Sequence, residues 1–321
     1  MSPLTRRAAL ALPLALPLIA PARAAGRPLK IGIVAFQMSS ETHARAANAA
    51  EAAAKKLGWS TTLLNSGGAI PQSANQIENL ISARVDAMVL CMSKPVELDA
   101  QLEEAKKAGI PVITVASGSS PWTLFDIQAN EYQVGAEGTL TLFGLMNYRG
   151  ALLAERFEGN LATRIRGRLL DAVLAENTAV SVLGSHSMAR TASWQEDVRA
   201  GFSALLDKNA GKFQGVWASF DGQAFVIDDL LQAAGVRKGQ IPLVSMDGGQ
   251  QSFARIRDPN STLVATVAVP FEGMGERAIA ALQSIVVEGR PRESLVRGPY
   301  LLMPAKLVDA SNVPAEGKWP W

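Results

Sequence analysis

The chain has very little of the side-chain chemistry that metal proteins and cysteine enzymes use. Its 321 residues include one cysteine and two histidines, so an internal disulfide is impossible and a zinc or Cys/His catalytic cluster lacks its ligands. Cys91 lies in the apolar run AMVLCMS, where a cysteine behaves as a small buried hydrophobe. We expect no metal site.

Sequence motifs of nucleotide-binding proteins and hydrolases are also missing. No G-x-G-x-x-G follows the first predicted strand, whose loop QMSSETH has no glycine, and no G-x-x-x-x-G-K-[ST] occurs anywhere. Without these glycines the chain has no phosphate cradle. It contains neither a G-x-S-x-G elbow nor H-E-x-x-H, and its scattered carboxylates form no recognisable pair. We therefore expect neither a cofactor nor a catalytic residue, and we predict that the protein is not an enzyme.

The first 24 residues have the composition of a secretory signal peptide. Arg6 and Arg7 precede an uncharged apolar run at 8–20, and residues 22–24 form an A-x-A cleavage site. The run is shorter than the roughly 20 apolar residues of a membrane-spanning helix. Because two adjacent arginines also occur in twin-arginine signals, Sec and twin-arginine export both remain open. We predict an exported protein that works in the periplasm.

The mature chain is nearly neutral. Removing 24 residues that carry three arginines and no acid leaves 28 basic residues against 29 acidic ones. A chain without a basic run offers no electrostatic footprint for nucleic acid or for an anionic membrane. We expect a small-molecule ligand, no nucleic acid partner and a monomer.

Apolar runs of five to eight residues alternate with amphipathic stretches of 12 to 18 residues. This alternation is typical of βαβ units around a parallel sheet. One series extends from KIGIVAF (30–36) to IPVITVAS (110–117), and a second extends from a helix at 131–147 to IPLVSMD (241–247). Two series of similar length predict two similar α/β lobes. The last strand–helix–strand stretch would complete both lobes.

Isolated polar and aromatic residues follow the predicted strands. Ligands bind at the carboxyl ends of such strands. Single donors and acceptors beside flat rings suit a polyhydroxylated small molecule, whose hydroxyls bind charged groups and whose C–H faces stack on rings. The residues at these strand ends are Gln37, Ser39, Ser40, His43, Ser117, Arg164, Arg166, Trp194, Asp221 and Asp247.

The order of several segments resembles the type I periplasmic sugar-binding proteins, the ribose-binding-like family. These segments are KIGIVAF, ISARVDAMVLCMSKP, AKKAGIPVITV, IQANEYQVG, TRIRGRLLDAV, VWASFDGQA, VSMDG and ATVAVPFEGMGERA. The resemblance extends over essentially the whole mature chain. It implies a periplasmic binding protein type I fold, with two Rossmann-like lobes joined by three crossovers. It also implies a ligand in the cleft, hinge closure and delivery to an ABC permease.

The resemblance leads to specific boundaries and residue roles. We predict an N-terminal lobe from 27–130 plus about 270–296, and a C-terminal lobe from 131–269 plus about 297–321. Matching positions imply that Arg166 forks to ligand oxygens, Asp247 accepts hydroxyls and Trp194 stacks on the ligand. Asp221 caps a helix or contacts the ligand or hinge, and Asn130 braces the hinge.

This chain departs from the ribose-binding pattern at three places. Ala116 and Ser117 replace an Asp-Arg pair, Thr42-His43 replaces two aromatics, and Phe220 replaces an asparagine. Together with Phe36, Met38, Trp122 and Met246 near the expected cleft, these changes predict a pocket less polar than that of a pentose binder. The predicted ligand-binding residues are Phe36, Gln37, Ser40, His43, Ser117, Arg166, Trp194, Phe220, Asp221 and Asp247.

The leading hypothesis is an exported solute-binding protein of an ABC importer for a sugar, a polyol or a related small polar molecule. Two alternatives remain open. In the first, the protein is a periplasmic sensor subunit for a membrane kinase or chemoreceptor. In the second, the same fold binds a less polar ligand such as a nucleoside, a furanone-like signal or an aromatic compound.

Overall fold

The computed structural model describes residues 27–189 and 192–321. The predicted signal peptide lies outside these residues. The strands are β1 (Lys30–Ala35), β2 (Ser60–Asn65), β3 (Ala87–Cys91), β4 (Val112–Val115), β5 (Asp126–Ala129), β6 (Gly150–Arg156), β7 (Val180–Ser187), β8 (Gly215–Ala218), β9 (Leu243–Asp247), β10 (Leu263–Ala268), β11 (Tyr300–Met303) and β12 (Lys306–Asp309).

The α-helices alternate with the strands. They are α1 (Glu41–Lys56), α2 (Ile70–Ser82), α3 (Asp99–Lys107), α4 (Glu131–Leu145), α5 (Leu161–Glu176), α6 (Trp194–Asn209), α7 (Asp221–Ala233), α8 (Gln250–Arg257) and α9 (Phe271–Leu282). In the part of the chain that the structure describes, no helix is both long and apolar enough to cross a membrane.

Two six-stranded sheets form the two lobes. The first sheet has the order β11-β5-β4-β3-β1-β2, and the second has the order β12-β10-β9-β8-β6-β7. β11 runs parallel to β5, whereas β12 runs antiparallel to β10. Each lobe therefore ends with a strand from the last part of the chain, and the prediction of two Rossmann-like α/β lobes is confirmed.

The inner strands are apolar because helices cover both faces of each sheet. All five residues of β3 and of β9 are buried. On one face of the first sheet, α9 packs closely on α1, where a Cβ added to Gly275 would lie 2.2 Å from the carbonyl oxygen of Ala46. The two helices can pack this closely because glycine has no side chain at the contact.

The chain crosses between the lobes beside three adjacent strand ends. The crossings follow β5, β10 and β11. The last crossing, at Pro304 and Ala305, lies later than the predicted boundary at about 296–297, which assigned β11 to the second lobe. One strand was expected across this region, but proline lacks the N–H that a continuous ladder needs. The stretch therefore divides into β11 in the first sheet and β12 in the second.

Candidate functional site

A cavity of about 160 Å³ lies between the lobes, at the carboxyl ends of both sheets. For comparison, an engineered cavity of about 150 Å³ admits benzene, so this space suits a molecule built on one small ring or a short carbon chain. Eight of the ten predicted ligand-binding residues line it. They are Phe36, Gln37, Ser40, His43, Arg166, Trp194, Phe220 and Asp247.

Arg166 lies at the centre of a buried charged cluster. Its side chain projects from near the N-terminal end of α5 and is 2% exposed. Nε donates to Glu131 Oε2 at 2.7 Å, and Nη1 donates to Asp247 Oδ1 at 2.8 Å and to the Ser219 carbonyl oxygen at 3.0 Å. Glu131 is the first residue of α4, immediately after the first crossing. The cluster thus joins that crossing to two strand ends of the second lobe.

The ionisable groups of this cluster shift one another's pKa values. Burial raises the pKa of Asp247 to about 7, although Arg166 opposes the shift. Burial by itself disfavours the Arg166 cation, but Glu131 and Asp247 outweigh it, so the pKa of Arg166 is raised. The guanidinium remains charged and is partly neutralised by its own neighbours. Arg166 is therefore a paired cation, and the resemblance, which implied a fork to ligand oxygens, did not predict these partners.

His43 is held as a neutral imidazole on the first-lobe side. The backbone N–H of Gln37 donates to His43 Nδ1 at 3.1 Å. Burial lowers the pKa of His43 to about 4. Because Nδ1 accepts a hydrogen bond, the single ring proton belongs on Nε2.

Three aromatic rings form a wall on the second-lobe side. Trp194 is the first residue of α6, and Phe220 directly precedes α7. Their ring centroids are 5.7 Å apart, and Phe220 contacts Phe157 edge-on at 6.3 Å. Such rings present the flat apolar faces on which C–H groups stack.

Two predicted site residues lie outside the cavity lining. The Ser117 hydroxyl accepts from the Ser93 N–H at 2.9 Å and donates to the Val115 carbonyl oxygen at 2.9 Å. Ser117 therefore braces the loop after β4, and its neighbour Ala116, with φ 48°, lines the cavity instead.

The Asp221 carboxylate likewise serves the second lobe itself. It accepts from the hydroxyls of Ser245, Ser252 and Thr266, which belong to β9, α8 and β10. Asp221 is buried and does not line the cavity. The predicted capping role is wrong, because Phe220 is the N-cap residue of α7 and the Asp221 carboxylate accepts from hydroxyls of other elements. The predicted ligand contact has no support from a residue that lies outside the cavity lining.

Of the other residues expected near the cleft, three lie elsewhere. Trp122 lies under the Lys106 ammonium at 5.3 Å in the first lobe, Met246 packs on Gly138, and Met38 packs against the core of the first lobe. Asn130 caps α4, because its Oδ1 accepts from the Gln133 N–H at 3.3 Å. This location at the first crossing is consistent with its predicted hinge role, which stays a prediction.

Among the described residues, thirteen that line the cavity are not in the predicted ligand-binding set, although Thr42 and Ala116 were noted beside it. Several directly follow a strand or begin a helix, the positions that had signalled the others, but their residue types are common in cores and turns. The thirteen residues are Thr42, Gly68, Met92, Lys94, Ala116, Glu131, Phe157, Gly159, Asn160, Ala162, Thr163, Met188 and Phe271.

A sequence model described as a periplasmic binding protein domain matches residues 31–290. The chain belongs to the periplasmic binding protein family. Membership in this family of binding proteins confirms the prediction that the protein is not an enzyme. It also supports export to the periplasm, without distinguishing the two export routes.

Two curated proteins have sequences similar to this chain. The chain is 24% identical over 299 residues to a xylitol-binding protein of Mycolicibacterium smegmatis, covering 89% of this chain and 79% of the relative. It is also 24% identical over 256 residues to the ribose import binding protein RbsB of Bacillus subtilis, covering 78% of this chain and 79% of that protein.

Solved structures of periplasmic binding proteins share the fold. An ABC transporter solute-binding protein from Agrobacterium vitis with bound allitol matches with a TM-score of 0.78 and 24% identity, covering 89% of this chain and 97% of that one. A Thermotoga lettingae protein in complex with 5-methylthioribose matches with a TM-score of 0.79 and 21% identity, covering 88% of this chain and 85% of that one. These matches confirm the predicted type I fold.

Proposed function

We propose that this periplasmic binding protein is the solute-binding component of an ABC importer and that it binds a monosaccharide or a polyol of similar size. The observation that carries the proposal is a ring-sized cavity between the lobes, with the Arg166 cluster on one side and the Trp194 wall on another. The names of the curated relatives, one binding xylitol and one importing ribose, support the same class of ligand.

The polar groups of the cavity match the needs of hydroxyls. Within the Arg166 guanidinium, Nη2 has no hydrogen-bond partner among the described residues, so it remains for a ligand oxygen. Asp247 Oδ2 supplies an acceptor and His43 supplies its Nε2–H as a neutral donor. Hydrogen bonds to charged groups are the stronger ones, so Arg166 and Asp247 would provide most of the polar affinity.

The aromatic wall would cover the apolar face of the ligand. Trp194 and Phe220 present flat faces, while the Arg166 cluster binds hydroxyls at the ligand edge. Closure would bring the His43 loop of the first lobe onto this surface by rotation about the three crossings, near Asn130. The protein would act as a monomer and deliver its ligand to a membrane permease.

Thermal shift and calorimetry on the mature chain test this proposal. We would use xylitol, allitol, D-allose, D-ribose and myo-inositol as probes. At a concentration 100 times its Kd, a true ligand stabilises the folded state by about 2.7 kcal/mol, so its Tm shift is easily measured. If none of the five probes shifts the Tm or gives a heat of binding, the carbohydrate assignment is wrong.

Tryptophan fluorescence tests the site itself. We expect a ligand-dependent change that disappears in Trp194→Ala, together with weaker binding. Trp194→Phe, which keeps a flat ring, should bind more tightly than the alanine variant. An unchanged fluorescence response in Trp194→Ala would assign the signal, and the stacking surface, to another tryptophan.

A less polar ligand is the second candidate. Phe36, Met92, Phe157, Met188 and Phe271 also line the cavity, which is more apolar surface than a fully hydroxylated sugar uses. A sugar with an apolar substituent would fill that part of the space, and a nucleoside would do so with the cleft opened beyond its present volume of about 160 Å³. Adenosine and 5-methylthioribose added to the same thermal-shift series distinguish the two candidates, because the second predicts a larger shift with them than with any polyol.

A further inference from the structure

Arg45 connects the two lobes from a position outside the ligand cavity. It lies in α1 of the first lobe, and its side chain is 9% exposed. Nε and Nη2 donate to the two carboxylate oxygens of Glu272 at 2.6 and 3.0 Å. Nη1 donates to the carbonyl oxygen of Gly248 in the second lobe, and Nη2 reaches that of Val269 at 3.4 Å in the second crossing. Every guanidinium nitrogen is therefore used.

The two carbonyl groups that Arg45 binds adjoin lining residues of the cavity. Gly248 follows Asp247, and Val269 precedes Phe271 by two residues. Asp247 has φ 125°, a conformation that residues with a side chain rarely adopt. A Cβ on Gly248 would lie 2.5 Å from Ala268 Cα, so this turn has little room to relax. Arg45 therefore stabilises the strained turn through its hydrogen bond to the Gly248 carbonyl oxygen.

The C-terminal segment covers Arg45. Arg45 Cζ lies 4.6 Å from the ring centroid of Trp319 and 5.2 Å from that of Phe271. The Trp319 ring contacts Phe253 of α8 edge-on at 5.9 Å. The next ring, Trp321, stacks on Trp319 at 5.7 Å and 11°.

Hydrogen bonds fix this segment to the second lobe. Gln250 Nε2 donates to the Lys318 carbonyl oxygen at 2.8 Å, and the Gly317 N–H donates to Gln250 Oε1 at 2.9 Å. Lys306 Nζ donates to the Pro320 carbonyl oxygen at 2.9 Å. A first-lobe cation is thus held against an aromatic side chain that belongs to the second lobe.

We propose that Arg45, Glu272 and Trp319 form a clasp between the lobes that positions Asp247 and Phe271 for the ligand. Trp319 is not among the residues that line the cavity and acts through Arg45, so it is a positioning residue. The C-terminal segment would then set how tightly the cleft holds its ligand. The effect on affinity rests on the proposed function, whereas the effect on the Asp247 turn does not.

Hydrogen exchange on the ligand-free mature protein tests the clasp without a ligand. We expect Trp319→Ala to speed amide exchange about threefold to tenfold in segments 247–249 and 269–272, since a partly buried cation–π contact is lost. Trp319→Phe keeps a ring over Arg45 and should restore most of the protection. Trp122→Ala is the matched control, because it removes a cation–π contact with Lys106 within the first lobe, away from the cavity.

Calorimetric titration with xylitol adds the functional arm. The Kd should rise about threefold to tenfold in Trp319→Ala and stay within about twofold in Trp319→Phe and Trp122→Ala. If xylitol does not bind the unmutated protein, the titration uses whichever of the other four probes binds. If none of the five binds, the proposed ligand class is wrong, and the exchange measurement still decides on the clasp. Unchanged exchange in both segments of Trp319→Ala, with a lowered Tm, would overturn the clasp and leave Trp319 a packing residue only.

Discussion

Arg166 and Asp247 form a buried ion pair across 81 residues of sequence, with 2.8 Å between Nη1 and Oδ1. Glu131 binds the same guanidinium through Nε. The residues that would grip a ligand are therefore also part of the internal structure of the second lobe. Substitutions in this cluster must change stability as well as binding.

Arg166→Ala should lower the free energy of unfolding by about 3–5 kcal/mol, because it leaves two buried carboxylates without their counterion. The loss should be smaller at pH 6 than at pH 8. Arg166 lowers the pKa of Asp247 from the value that burial alone would give, so without Arg166 the Asp247 carboxyl stays protonated to a higher pH than in the unmutated protein, where its pKa is about 7. Over this range the variant therefore loses more stability than the unmutated protein as the pH rises. Urea unfolding at both pH values measures the difference.

A charge-free variant is the control for Arg166→Ala. Arg166→Met combined with Glu131→Gln and Asp247→Asn removes the cation and both carboxylates together. It should be closer in stability to the unmutated protein than Arg166→Ala is. A loss below about 1 kcal/mol in Arg166→Ala itself would contradict the buried pairing.

His43 should make the protein less stable as the pH falls from 6.5 to 4. Burial lowers the pKa of His43 to about 4, so in this window the unfolded chain binds a proton that the folded protein does not. Stability is then lost as the pH falls. Asp247 acts in the opposite direction, because its raised pKa means that the folded protein holds the extra proton.

Comparison with His43→Asn isolates the histidine from Asp247. The variant keeps an acceptor near Nδ1 but has no titrating ring. The stability difference between the unmutated protein and His43→Asn should decrease by on the order of 3 kcal/mol between pH 7 and pH 4. A difference that stays constant with pH would show that the imidazole is not desolvated.

Asp221→Ala should destabilise the second lobe without changing the site. It leaves the hydroxyls of Ser245, Ser252 and Thr266 without their shared acceptor, at a cost of roughly 2–4 kcal/mol. Asp221→Asn, which keeps one acceptor oxygen, should cost less. Urea unfolding measures the loss, while ligand affinity should stay within about twofold. A large loss of affinity in a variant that remains folded would return Asp221 to the ligand site.

Gly275→Ala should lower the free energy of unfolding by about 1–3 kcal/mol, as overpacking does. The new Cβ would lie 2.2 Å from the Ala46 carbonyl oxygen and 2.9 Å from the Ala50 nitrogen, so α1 and α9 would have to separate. Gly144→Ala in α4 is the matched control, because its Cβ would meet no atom within 4 Å. It should be neutral or stabilise by up to about 1 kcal/mol. Equal effects at the two sites in urea unfolding would contradict the tight α1–α9 contact.

Strand and helix alternation predicted the two lobes, because burial on both faces forces continuous apolar runs on the strands of a parallel sheet. The pattern failed for short or divided strands. β5 has four residues in a stretch that was not predicted as a strand, and β11 and β12 were predicted as one. An apolar pattern that reads as one strand does not show that its first half, β11, joins one sheet and its second half, β12, joins the other.

The candidate site was predictable where a strand end carries a distinctive side chain. Arg166, Trp194 and Asp247 line the cavity as expected. Glu131 was missed because an acidic residue at a helix N-terminus is common at the surface. Only the packing of α4 against α5 reduces the exposure of Glu131 to 4%. Ser117 was misplaced because the sequence shows a hydroxyl beside the cleft without showing which partner satisfies it.

The sequence by itself determined that the chain folds into two α/β lobes with side chains, rather than glycine-rich backbone, at the strand ends. Periodicity and composition are local properties, and they are sufficient for that conclusion. The tertiary structure decided the pairing of Arg166 with Glu131 and Asp247, the neutral state of His43 and the contact of Trp319 with Arg45. Each of these depends on distances between segments far apart in the chain and on exclusion of water, which arise only when the lobes pack.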